Sequence, residues 1–166
     1  KTPLLGAFQS EKTEGVIVSV SPQNADHALT VERLSDPLFL HLPAEFVIRC
    51  QLPLALSDTD EPEPDVAVLE RATPRSRREQ PTTARLIFEV ATESLRKDRE
   101  VKAPLYARSA IPEYVIVNLR ENCLEVHRDP DPSGAGYRVV LRLEKADLFS
   151  STGVPGLGFS LADLLA

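Results

Sequence analysis

Apolar residues in this chain recur mainly at every second position, in short runs broken by prolines and acidic turns, and that spacing constrains the fold more than any other feature. A period of two is the spacing of a strand with one face buried. "EGVIVSVSP" (Glu14 to Pro22) reads as a first strand closed by proline, and "EFVIRCQLPLAL" as a second extended run interrupted at Pro53. "DVAVLE" and "ARLIFEVA" are short strands, and "EYVIVNL", "CLEVHR" and "YRVVLRL" follow as further strands. Helical spacing is confined to two places. In "NADHALTVERLSD" (Asn24 to Asp36), Ala28, Val31 and Leu34 share one face, with Asp36-Pro37 as the expected stop. The second candidate is "SLRKDREVKAPLYARS", from Ser94 to Ser109. This order of elements predicts a mixed α/β (α+β) domain with one sheet flanked by two main helices.

The chain has 166 residues, 42% of them hydrophobic and 27% charged, so one compact domain over residues 1–166 is expected. No run approaches the ~18 apolar residues of a membrane helix, and no secretory leader opens the chain. Cys50 and Cys123 are too few for a disulfide framework and sit in strand-like runs, which predicts buried free thiols in a reducing, cytoplasmic setting. Methionine is absent even from position 1, so this N-terminus is expected not to be the one originally encoded. The net charge of −6 disfavours a protein whose affinity comes only from a broad phosphate-binding surface. Local balance reverses around Arg71, Arg75, Arg77, Arg78 and Arg85, and again around Arg96, Lys97, Arg99 and Lys102. "ERATPRSRREQPTT" (residues 70–83) has no apolar period and reads as a long exposed loop, either a tolerated insertion or a segment that contacts substrate. "RDPDPSGAGY" is a hairpin connection.

Three charged residues carry the chemistry. On a strand, Leu86, Phe88 and Val90 of "ARLIFEVA" point one way and Ile87, Glu89 and Ala91 the other. Glu89 is thus flanked on its own face by apolar residues, a costly place for a charge without a partner. A neighbouring arginine would answer that need as well as a metal. Asp65 stands at the mouth of "DVAVLE" after a proline-rich turn, where turn chemistry alone would explain it. Two carboxylates on consecutive core strands can nevertheless converge, and two hard oxygen donors plus water suit Mg²⁺. Asp98, Lys102 and Tyr106 follow at four-residue spacing (102 − 98 = 4, 106 − 102 = 4), on one helix face. The plain alternative is a surface pair worth a few tenths of a kcal/mol, roughly. A lysine beside a metal would instead position attacking water or meet the charge growing on a phosphate. Pro104 introduces an expected kink between Lys102 and Tyr106.

Asp65, then Glu89 (89 − 65 = 24 residues on), then a nearby lysine, with Pro64-Asp65 as the "PD", resembles the PD-(D/E)XK nuclease superfamily. More narrowly, the chain is similar to a large bacterial family of restriction-endonuclease-like proteins, formerly grouped as a domain of unknown function. The resemblance runs from about Glu11 to Val140, through "EKTEGVIVSVSP", the helix with His27, "QLPLAL…EPEPDVAVLE", "LIFEVATES", "DREVKAPLYARSAIPEYVIVNL" and "LEVHR". It implies a restriction-endonuclease-like mixed sheet with helices on its faces and a metal, Mg²⁺ with Mn²⁺ as substitute, on Asp65 and Glu89. It implies further that Lys102 stands in for the motif lysine, whose usual position is Ala91 here. Asp98 and Tyr106 match residues that accompany that lysine, Gln51 a glutamine on the strand before the "PD" turn, and His27 a helix histidine. Glu11 matches an upstream glutamate, with Glu14 as fallback. Val115 replaces the usual tryptophan and Asn118 the usual aspartate.

The expected activity is Mg²⁺-dependent hydrolysis of phosphodiester bonds in DNA, with the loop arginines Arg75, Arg77 and Arg78 along the phosphate backbone. A non-catalytic module that binds nucleic acid or protein, or a hydrolase of small phosphate esters, are the alternatives. A homodimer is expected by analogy with nucleases that cut both strands.

Overall fold

The computed structural model describes residues 10–13, 15–19, 24–76, 78–162 and 164–165, with 10–13 and 16–19 described by their backbone alone. β1 (Ser10–Thr13) and β2 (Val16–Ser19) form an antiparallel hairpin turned at Gly15, whose φ of +77° suits glycine. The main sheet has six strands in the order β3 (Phe46–Cys50), β4 (Val66–Glu70), β5 (Leu86–Ala91), β6 (Glu113–Asn118), β7 (Cys123–Pro130) and β8 (Tyr137–Glu144). Every neighbouring pair is antiparallel except β5 and β6. A parallel pair needs a crossover to return the chain to its starting end. Residues 95–108 supply it, as α2 (Leu95–Lys97), a π-helical turn (Asp98–Lys102) and α3 (Ala103–Arg108). This mixed sheet with helices is the α+β architecture expected from the spacing of apolar residues.

Strand alternation divides the core in two. Val66, Val68, Leu86, Phe88, Val90 and Val115 face one layer with Leu34 and Leu38 of α1 (Ala25–His41). Ala67, Ile87, Ala91, Tyr114 and Ile116 face the other, against Leu105 and Tyr106 of α3. Val115, the departure from the usual tryptophan, is fully buried in the first layer. Phe88 packs edge-on to Phe149 at 5.7 Å between ring centres.

α1 starts where Asn24 caps it, its side chain accepting from the His27 amide at 2.8 Å. The stop expected at Asp36-Pro37 does not occur: Pro37 lies inside the helix, which runs on to His41. Thr30, Leu34 and Leu38 form a buried stripe at four-residue spacing, and packing of that stripe holds the helix past the missing amide donor. The strand periodicity assigned no element beyond Leu143, yet β9 (Leu148–Ser150) and β10 (Gly158–Ser160) pair there and deliver Phe149, Phe159 and Leu161 to the α1 layer. The segment is anchored by Glu113, which accepts from Arg128 Nε at 2.6 Å, from the Ser151 hydroxyl and from the Gly153 amide at 3.2 Å. Gly153 is required there, because a Cβ would stand 2.2 Å from the Arg85 carbonyl oxygen.

Residues 71–85 form the long connection between β4 and β5, exposed for most of its length as expected. Both cysteines are free thiols; Cys123 is buried, whereas Cys50 is only half-buried. Among the described residues no helix is long and apolar enough to cross a membrane.

Candidate active site

The site forms where β4 and β5 part. Their pairing begins at Val66 opposite Phe88, while β5 continues to Ala91 against β6 alone. The Val90 amide, left without a partner from β4, donates instead to Asp65 Oδ2 at 2.8 Å. The other Asp65 oxygen, Oδ1, meets His27 Nε2 at 3.0 Å. That contact raises the His27 pKa above its ordinary value, first through the hydrogen bond and against the opposing effect of burial. Asp65 is therefore held from both sides, by a strand and by α1.

Glu89 projects into the α3 layer, as the alternation of β5 requires, and is 3% exposed. Its Oε1 lies 2.8 Å from Lys102 Nζ and accepts from the Tyr106 hydroxyl, also at 2.8 Å. Lys102 in turn is 3.9 Å from Asp98 Oδ1. Burial raises the Asp98 pKa, with Lys102 and the Ser94 hydroxyl at 2.6 Å opposing it. The helix is irregular beside Pro104. Pro104 has no amide to offer the Glu100 carbonyl, and the preceding turn widens so that the Ala103 amide reaches back to Asp98 O. Lys102 and Tyr106 still reach one carboxylate together.

Arg99 fastens this widened turn to the sheet. Its guanidinium grips Glu125 at 2.8 and 2.6 Å, and Asn118 Nδ2 donates to the same carboxylate at 2.7 Å. Burial pushes the Glu125 pKa up, but those donors outweigh it and the net shift is downward. Asn118 thus supplies a donor that an aspartate would lack. Tyr114, fully buried and 4.9 Å ring-to-ring from Tyr106, has its phenol pushed well above the ordinary range. Burial is the main cause, and the charges of Asp98 and Glu89 add to it.

Gln51 adjoins Asp65 through the backbone. Its amide donates to the Pro64 and Asp65 carbonyls, both at 3.1 Å, and its φ of +51° is rare for a residue with a side chain. Glu11 falls on β1 opposite Val18, with only its backbone described; Glu14 and Arg77 lie outside the described residues. Arg75 and Arg78 are exposed. Arg75 donates to the Arg71 carbonyl at 3.3 Å, and Arg71 is tied to Ala44 and Phe46 at the far end of β3. Six residues of strand separate Arg71 from Asp65, roughly 20 Å. Ser94, Tyr114 and Glu125 were missed in the sequence, and Arg99 was noted only as part of a basic cluster. Only Ser94 left a signal, standing one four-residue step before Asp98 in the row already noted (98 − 94 = 4).

The model of the Uma2 family, described as "Putative restriction endonuclease", matches residues 7–162. The chain belongs to the Uma2 family. Among solved structures, the Uma2 chain is similar to a protein from Anabaena variabilis ATCC 29413 described as a "putative nuclease belonging to DUF820". The TM-score is 0.75 at 15% sequence identity, over 94% of this chain and 89% of that one. That likeness establishes a shared nuclease-like fold. No curated protein matches the sequence.

Proposed function

We propose that this Uma2 chain is a Mg²⁺-dependent endonuclease that hydrolyses phosphodiester bonds in DNA, with Mn²⁺ as a working substitute. The observation that carries the reading is the buried Glu89–Lys102 pair, 2.8 Å apart, beside an Asp65 clamped by His27 and the Val90 amide. An ion pair buried only for stability gains little over apolar packing, so its survival beside further carboxylates points to chemistry. The family description and that of the Anabaena protein support a nucleic-acid substrate, and the restriction-type description favours DNA. Free thiols fit work in the cytoplasm.

The donor set fits Mg²⁺. Among the described residues no three His, Cys, Asp or Glu side chains are grouped so as to hold an ion. A protein cage for Ca²⁺ or Zn²⁺ is therefore not offered, whereas Mg²⁺ commonly uses one or two carboxylates and completes its shell with water and substrate phosphate. Asp65 and Glu89 would hold it. When bound, it supplies charge neutralisation at the phosphate and acidifies water. Tyr106 and Lys102 fix the rotamer of Glu89, and His27 fixes that of Asp65. The Lys102 ammonium orients the attacking water and meets the negative charge that grows on the phosphate oxygens. Asp98, steadied by Ser94, keeps that ammonium from swinging out. Water attacks phosphorus in line, one P–O bond forming as the bond to the leaving sugar oxygen breaks.

The test is calorimetric titration of Mg²⁺ or Mn²⁺ into the protein and into Asp65→Ala, with plasmid nicking on the same samples. Binding and nicking that vanish together in the variant support the reading. Binding without nicking moves the substrate to a small phosphate ester. Absence of Asp65-dependent binding leaves a non-catalytic module on the same fold.

A further inference from the structure

The outer edge of the sheet is built to pair with itself. Among the described residues β8 bonds to β7 alone, and the backbone of residues 138–143 has no hydrogen-bond partner beyond that strand. Val139, Val140 and Leu141 are 39%, 56% and 40% exposed, so an eight-residue strand ends the sheet with an apolar run at its centre. Such an edge invites another strand unless charge guards it. Arg138 and Arg142 are the obvious guards, but both are turned back onto acids of their own chain. Arg138 lies 3.3 Å from Asp129 and 3.7 Å from Asp131. Arg142 pairs with Glu121 and, at 2.6 Å, with Glu144.

We propose that β8 pairs antiparallel with β8 of a second copy, about a two-fold axis through Leu141. Parity restricts the choice of register. Along a strand, backbone groups point alternately to either side, so two identical antiparallel strands can match residue i with j only when i + j is even. The axis therefore passes through a residue. An axis at Val140 sets Arg138 against Arg142, and one at Arg142 sets the two arginines against each other, both repulsive. An axis at Leu141 sets Arg138 against Glu144 (138 + 144 = 2 × 141) and Val139 against Leu143, with Leu141 meeting itself. Val139, Leu141 and Leu143 stand opposite Arg128, Val126 and Leu124 of β7, so their face continues the first core layer across the junction. On one face Arg138 meets Glu144 and Val140 meets Arg142, and on the other only apolar side chains meet.

An interface of one strand per copy is below the size of a standard stable complex, so the dissociation constant falls at roughly 1–100 μM. β8 is three strands from β5, so each copy keeps its own site and the partner completes nothing in it.

Sedimentation equilibrium on the full chain, from about 1 to about 500 μM, measures the dimer. Leu141→Lys places two like charges on the axis and is expected to raise the dissociation constant about 100-fold. Its melting temperature and Mn²⁺ stoichiometry per chain should stay as in the wild type. Leu141→Cys should form a disulfide-linked dimer under mild oxidation well above the wild-type background, and Val140→Cys should not, because Val140 faces Arg142 in this register. A chain that stays monomeric throughout, a dimer indifferent to Leu141→Lys, or equal cross-linking from positions 140 and 141 overturns the proposal.

Discussion

Glu89 and Glu113 stand on neighbouring parallel strands, Glu113 opposite Leu86 and Glu89 three residues further along (89 − 86 = 3), and both are buried, 3% and 0% exposed. Their surroundings differ. Glu113 is enclosed by donors: Arg128, the Ser151 hydroxyl and the backbone amides of Thr152 and Gly153. Those amides belong to the chain segment that the carboxylate anchors, so the pairing secures the fold. Glu89 is held by two side chains from one helical segment, Lys102 and Tyr106, and the amide of the next residue, Val90, is taken by Asp65. A carboxylate whose donors include the backbone it anchors is a structural clasp, whereas under the proposed function Glu89, held by side chains alone, is the carboxylate a cation would share.

That contrast can be broken by substitution. Glu89→Gln is expected to lower nicking by about 10⁴-fold and abolish Mn²⁺ binding, while thermal unfolding shows the fold intact. Glu113→Gln should do the reverse. It strands the Arg128 guanidinium and is expected to cost about 3 kcal/mol in denaturant unfolding, with Mn²⁺ affinity unchanged in the folded protein. If Glu113→Gln weakens metal binding more than Glu89→Gln does, the two roles have been exchanged.

A pH series separates both carboxylates from a third buried group. Burial lowers the His127 pKa from 6.5 to about 4, and among the described residues its Nε2 has no hydrogen-bond partner. The unfolded chain takes up that proton at higher pH than the folded one. The stability held by neutral His127 is therefore fully present above about 6.5 and is lost as pH falls through the interval towards 4. Relative to His127→Phe, the wild type should lose about 2 kcal/mol between roughly pH 6.5 and 4.5, followed by chemical denaturation. Equal losses in the two proteins would show that His127 is not the group responsible.

The smallest effect is expected from Tyr106→Phe. Removing the 2.8 Å hydrogen bond to Glu89 leaves Lys102 in place and should reduce turnover about tenfold. Metal affinity should fall less than it does in Glu89→Gln. A loss as large as that of Glu89→Gln would make Tyr106 a participant in the chemistry instead of a positioning residue.

Much of the site was legible because side-chain direction is a local property. Period-two alternation put Glu89 on the face away from Phe88, and the four-residue step put Lys102 and Tyr106 on a common face; the structure joins all three. The same local logic failed at Pro37, where burial of Leu38 carries the helix on.

Sequence alone therefore determined the strand order's raw material, the inward carboxylate of β5 and the helix row that meets it, since each depends only on backbone periodicity within a few residues. Tertiary structure decided the rest. The separation of β4 from β5 gives Asp65 the Val90 amide, α1 brings His27 across 38 residues (65 − 27 = 38), and Arg71 at the start of the long loop is tied to Ala44 before β3. Each of these is a choice of register or of chain path between distant segments, fixed by which surfaces bury one another, and no local spacing encodes it.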